Sequence, residues 1–83
     1  MQIIKITSLA CTSCIIVNNI LNKILEKYDV TVKNIDYDFD DYDYEVGRIL
    51  PVLIFTDNEG NELSRLVGEV SFEKIENEIK KYE

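Results

Sequence analysis

Two short β-branched runs enclose one long helical stripe, and that arrangement restricts the first half of the chain to one kind of unit. Residues 2–7 (QIIKIT) are Ile-rich and stop at Ser8, as a buried strand does. Cys14, Val17, Leu21, Ile24, Leu25 and Tyr28 then recur at helical spacing, with Asn18, Asn22, Lys23, Glu26 and Lys27 mostly between them. This periodicity predicts an amphipathic helix over residues 12–27, ended by Asp29. Residues 30–36 (VTVKNID) return to β-branched alternation and predict a second strand. A helix that carries the chain between neighbouring strands of one sheet leaves them parallel.

The second half reads differently. The run ILPVLIF, residues 49–55, has the composition of a core strand but contains the only proline of the chain, Pro51. Proline cannot donate to a sheet ladder, so it belongs at the start of the strand, on an edge or in a special turn. Residues 57–61 (DNEGN) form a turn signal in which Gly60 supplies the positive φ. Residues 62–67 come back as the next strand, giving an antiparallel hairpin. Ser71 is placed to cap a last helix whose apolar face is Phe72, Ile75, Ile79 and Tyr82, with Glu76 and Lys80 as an i,i+4 pair. The expected order is therefore β-α-β-(α)-β-β-α, an α/β chain with a four-stranded mixed sheet flanked by helices. The bracketed element is residues 37–47, YDFDDYDYEVG, where a short helix or a structured loop fits. Phe39, Phe55 and Phe72 are expected in the core, and Tyr37, Tyr42 and Tyr44 partly over it. Lys5 is expected to face solvent from the first strand.

With 83 residues the chain holds one small domain, residues 1–83, without repeat or linker. Its net charge is −7, and six carboxylates fall within residues 36–45. Such a surface is repelled by phosphate backbones, so no nucleic-acid partner is expected. No apolar run is long enough to span a bilayer, and residues 1–11 lack the charged front and cleavage pattern of a secretion signal. A cytoplasmic monomer with no membrane partner is the expectation. In that compartment a close cysteine pair is rarely a permanent staple.

Cys11 and Cys14 are the only cysteines and the chain has no histidine. Three readings fit Cys11-Thr12-Ser13-Cys14 on its residues alone. The pair can exchange disulfides, hold a soft metal, or pack a helix as two small apolar side chains. A closed zinc site within one chain is disfavoured, because two cysteines without histidine leave too few of the usual ligands.

The order of these motifs resembles the thioredoxin superfamily over nearly the whole chain. The elements that match are QIIKIT, a CxxC opening a helix, VTVKNID, Leu50-Pro51 before VLIF, a Gly-containing hairpin, Val67-Gly68 and a final helix from Ser71. The strand and helix that precede the first strand in full-length thioredoxins have no counterpart. CxxC alone is common; CxxC followed about three dozen residues later by a proline opening a strand, a hairpin and a helix is more specific.

The resemblance implies a minimal thioredoxin-like fold and a dithiol–disulfide oxidoreductase that needs no bound cofactor. It implies that Cys11 is the nucleophile and Cys14 the resolving thiol. It implies a cis Pro51 facing the disulfide and a Leu50 whose backbone pairs with the substrate chain. Ala10, Thr12 and Ser13 complete the expected substrate contacts, with Ile15 adding apolar surface. The expected partners are a disulfide-containing protein substrate and a reductase-type electron donor. The chemistry fits the placement: a helix N-terminus favours a thiolate, and a residue one turn later can reach back to it. The sequence departs from the family pattern at three points. Ala10 stands where the family has tryptophan, Thr12-Ser13 replaces Gly-Pro or Pro-Tyr, and Lys5 stands where a buried carboxylate is usual.

A soft-metal carrier is the main rival, since KITSLACTSCIIVNNILNKIL also resembles the start of heavy-metal-associated domains, which carry Cu(I) between two cysteines. Those domains usually have methionine where Leu9 stands and end in a strand, and Pro51 has no place in them. A third reading is a binding module that keeps the fold without catalysis.

Overall fold

In the computed structural model, which describes residues 1–9, 11–40 and 44–82, the elements follow the chain as β1 (Gln2–Thr7), α1 (Thr12–Lys27), β2 (Thr31–Asp36), β3 (Val52–Thr56), β4 (Glu62–Val67) and α2 (Phe72–Tyr82). They build one four-stranded sheet in the order β2-β1-β3-β4. β1 and β2 run parallel, with Ile3 opposite Val32 and Thr7 opposite Asp36. β3 lies antiparallel to β1, with Ile3 opposite Phe55 and Ile6 opposite Val52. β4 closes the hairpin, and its register shifts at Phe55/Thr56.

The alternation of side chains along the strands divides the core into two layers. On one face Ile3, Leu53 and Phe55 meet Val17, Leu21 and Ile24 of α1 and Ile75 and Ile79 of α2. Both helices therefore cover the same face. Ile4, Ile6, Ile35, Val52 and Ile54 point to the opposite face, where Tyr37, Tyr44, Val46 and Leu50 pack against them. Side chains from the described parts of the segment between β2 and β3 thus help remove this face from water. Every residue of β3 is buried, which accounts for its uninterrupted apolar run.

The optional helix after β2 is a turn in its described part. The Asp36 carboxylate accepts from the N–H groups of Asp38 (2.9 Å) and Phe39 (3.2 Å), and Asp40 accepts from the Asp36 N–H (2.8 Å). This Asx-type closure turns Phe39 outward, 78% exposed, so it is not a core residue. Leu25 is likewise not buried: it lies at the margin of the α1 stripe and is 43% exposed. Phe55 is buried, and Phe72 packs partly buried against the helical layer. Tyr42 lies outside the described residues.

The ends of the elements follow local chemistry. Asp57 closes the hairpin by accepting from the N–H groups of Glu59 and Asn61, both at 2.9 Å, and Gly60 takes φ +88°. These bonds, the one from Asn61 first, hold the Asp57 carboxyl below its ordinary range. Ser71 Oγ accepts from the Lys74 N–H at 3.2 Å and caps α2. The C-terminal end of α1 is tied to the middle of α2 through Glu76. Its carboxylate accepts from Lys27 Nζ at 2.7 Å and from the Tyr28 hydroxyl at 2.9 Å, and Lys80 stands 3.8 Å away. The bond from Lys27 leads the causes that lower the Glu76 carboxyl below its usual range.

Candidate functional site

Sheet register brings the two motifs of the sequence to one end of the molecule. β1 finishes at Thr7 and leads through Ser8 and Leu9 to Cys11. β3 begins at Val52, opposite Ile6, so Pro51 stands beside the end of β1 that feeds the cysteines. β4 finishes at Val67, opposite Val52, and the N–H of the next residue, Gly68, donates to the Pro51 carbonyl at 2.8 Å. Gly68 has φ +82°, and a Cβ there would lie 3.3 Å from the Ile49 side chain. Glycine is thus needed where the turn after β4 passes the segment leading into Pro51. The Leu50–Pro51 peptide is cis.

Cys11 is the N-cap residue of α1, with extended backbone angles, and its sulfur accepts from the Cys14 N–H at 3.1 Å. A sulfur acceptor at an N-cap does the work usually done by a Ser or Asp oxygen. The same geometry presents the sulfur to the positive end of the helix. Cys11 and Cys14 form a disulfide with Cα atoms 5.2 Å apart. The two sulfurs differ in access: Cys14 is buried at 2% exposure, whereas Cys11 is only half-buried. Cys11 is therefore the more accessible member of the pair.

The remaining expected contacts lie around this pair to different degrees. Thr12 is exposed and Ser13 half-buried in the first turn of α1. Among the described residues the donor to the Cys11 sulfur is the Cys14 backbone rather than either hydroxyl. Pro51 is buried at the head of β3, and Leu50 is half-buried against the layer opposite the helices. Ala10 lies outside the described residues. Ile15 is 61% exposed. Two further apolar residues flank the motifs without having been expected as contacts: Leu9, 86% exposed, just before the CxxC, and Ile49, 62% exposed, just before Leu50-Pro51. Their signal was present as apolar side chains in loop positions next to each motif.

The expectation that Lys5 faces solvent is overturned. Lys5 shares its face of β1 with Ile3, the face covered by α1, and its Nζ donates to Asn18 Oδ1 at 2.5 Å. Burial lowers its pKa below the ordinary lysine range. The long aliphatic stem lets the residue lie under the helix while its ammonium finds a polar partner. Among the described residues, no group of three or more Cys, Asp or Glu side chains is placed to hold a metal ion.

No family model and no curated protein matches the chain. Its fold matches solved thioredoxins. Against reduced thioredoxin pre-protein of Schistosoma mansoni the TM-score is 0.75 at 22% identity, covering 99% of this chain and 78% of that one. Against thioredoxin-2, described as a component of malaria parasite protein secretion machinery, it is 0.80 at 19% identity, covering 96% and 81%. Thioredoxin 1 of Thermosipho africanus gives 0.72 at 20% identity, covering 99% and 93%. The chain therefore has a thioredoxin-like fold, with a bonded CxxC pair at the start of its first helix.

Proposed function

We propose that the protein is a thiol–disulfide oxidoreductase that acts as a single domain on protein disulfides through Cys11 and Cys14. The observation that carries this reading is the position of the pair: a half-buried Cys11 sulfur at the N-cap of α1, bonded to a buried Cys14 one turn on. In the reduced protein, Cys11 as thiolate attacks one sulfur of a substrate disulfide, and the other substrate sulfur leaves as a thiolate that takes a proton. Cys14 then loses its proton and attacks the Cys11 sulfur of the mixed disulfide. The second substrate sulfur departs and the Cys11–Cys14 bond forms, so the substrate gains two electrons and the protein loses two. Leu50, Pro51, Thr12 and Ser13 serve as contacts for the substrate chain, with exposed Leu9, Ile15 and Ile49 offering apolar surface. A reductase-type donor restores the dithiol. Such a cycle suits a reducing compartment such as the cytoplasm, where structural disulfides are rare.

The reading is tested by reduction of insulin disulfides with a small dithiol as electron source. Acceleration by the protein, abolished in both Cys11→Ser and Cys14→Ser, is the expected result. A rate equal to that of the small dithiol alone would refute it.

A further inference from the structure

We propose that Lys5 is a positioning residue for the dithiol, acting through Cys14: its ammonium, held under α1 by Asn18, stabilises the thiolate on the buried side of the pair. The inference rests on the redox reading of the site. Its basis is the geometry beneath the helix. Asn18 lies four residues beyond Cys14, so the two share one stripe of α1, about 6 Å apart along the axis. Lys5 Nζ donates to Asn18 Oδ1 at 2.5 Å. Lys5 follows Ile4 in β1 and lies two residues before Thr7, the last residue of the strand that leads into the cysteines.

Among the described residues, no carboxylate stands within ion-pair distance of the Lys5 ammonium. Its register partners are Asn34 on β2 and Leu53 on β3. Asp36, farther along the same face of β2, is engaged by its own turn through the N–H groups of Asp38 and Phe39. On α1 the charged side chains Lys23, Glu26 and Lys27 are exposed. On α2, Glu76 is held by Lys27 and Tyr28, and Glu78 accepts from Ser64. On β4, Glu62 is paired with Arg65. Among the described residues, no ion pair includes Lys5.

A half-buried cation with a neutral partner is costly unless a negative charge appears beside it. Reduction of the Cys11–Cys14 bond supplies that charge. The burial that disfavours a Cys14 thiolate is then offset by Lys5, which stays protonated throughout the exchange while the Cys14 proton passes to water. The resolving attack consequently needs no carboxylate base beneath the disulfide. The same electrostatics stabilise the reduced, ionised pair relative to the neutral disulfide, making the protein a better oxidant than it would be without the cation.

The test compares wild type, Lys5→Met and Lys5→Arg by thiol–disulfide equilibrium across pH. In the range where the pair is ionised, Lys5→Met is expected to shift the equilibrium about five- to tenfold toward the disulfide, and Lys5→Arg less than twofold. The thiol titration should move to higher pH in Lys5→Met. A wild-type measurement stands independent of folding of the variants: by linkage, the Lys5 amine followed by NMR titrates at higher pH in the reduced protein than in the oxidised one. Coincident wild-type and Lys5→Met equilibria, equal shifts in Lys5→Met and Lys5→Arg, or a Lys5 titration unchanged by reduction would each overturn the proposal. Absence of any reversible wild-type transition would instead overturn the redox reading itself.

Discussion

Replacing Cys14 by serine leaves Cys11 as the single thiol and isolates the effect of the helix N-terminus on it. The backbone N–H of residue 14, 3.1 Å from the Cys11 sulfur, is retained by the substitution. Two contributions favour the thiolate. The helix dipole contributes about 0.3–1 kcal/mol at an exposed terminus. A hydrogen bond to a charged acceptor contributes about 1.5–3 kcal/mol. Cys11 is half-buried and sulfur is a weak acceptor, so the lower ends apply, about 2 kcal/mol together. At about 1.4 kcal/mol per factor of ten, the thiolate-to-thiol ratio rises about thirtyfold over an unstructured cysteine. The assay is the alkylation rate of Cys14→Ser against pH, beside a disordered peptide of residues 9–16 carrying the same change. The protein's profile should reach half-maximum at clearly lower pH. Coincident profiles would refute the argument that the N-cap activates Cys11.

Three further outcomes follow from the packing. Leu21→Ala, which empties a buried position between α1 and the sheet, should cost about 3 kcal/mol in urea unfolding, and a loss under about 1 kcal/mol would contradict its place in the core. Gly68→Ala imposes a side chain at φ +82° and against Ile49, so it should destabilise by about 1–2 kcal/mol and slow disulfide exchange; a neutral effect on both would sink that reading. Glu76 has a carboxyl pKa lowered in the folded state, so the stability it contributes is present above the ordinary carboxylate range and is lost as pH falls through the folded value. Glu76→Gln should therefore lower the melting temperature near neutrality and flatten its decline on acidification; parallel wild-type and variant curves would show that the link to Lys27 and Tyr28 does not act.

Local periodicity made much of the fold legible. The α1 stripe, the β1 and β2 runs, the Gly60 turn and the Ser71 cap are each set by residues within a few positions of one another, and these elements appear where those residues stand. What the sequence left open depends on contacts between distant segments. Which face α2 would share with α1 is decided by the pairing of β3 with β1. The cover of the opposite face comes from Tyr37, Tyr44, Val46 and Leu50, whose loop has no period to read. Phe39 looked like core because aromatic residues usually are, yet the Asp36 turn that carries it points outward. Lys5 showed the opposite conflict: strand alternation placed it with Ile3, while its charge argued for water, and the Asn18 amide under the helix lets alternation prevail. The two cysteines and Leu50-Pro51 could be picked out singly, but their convergence at one end of the sheet required the β1–β3 register.

The most direct test is the equilibrium of the Cys11–Cys14 pair in a graded thiol–disulfide buffer, with free thiols counted by mass after alkylation. The account predicts one reversible two-electron transition between dithiol and disulfide, absent in Cys14→Ser. Two thiols that stay reduced and unreactive across the whole range would contradict it.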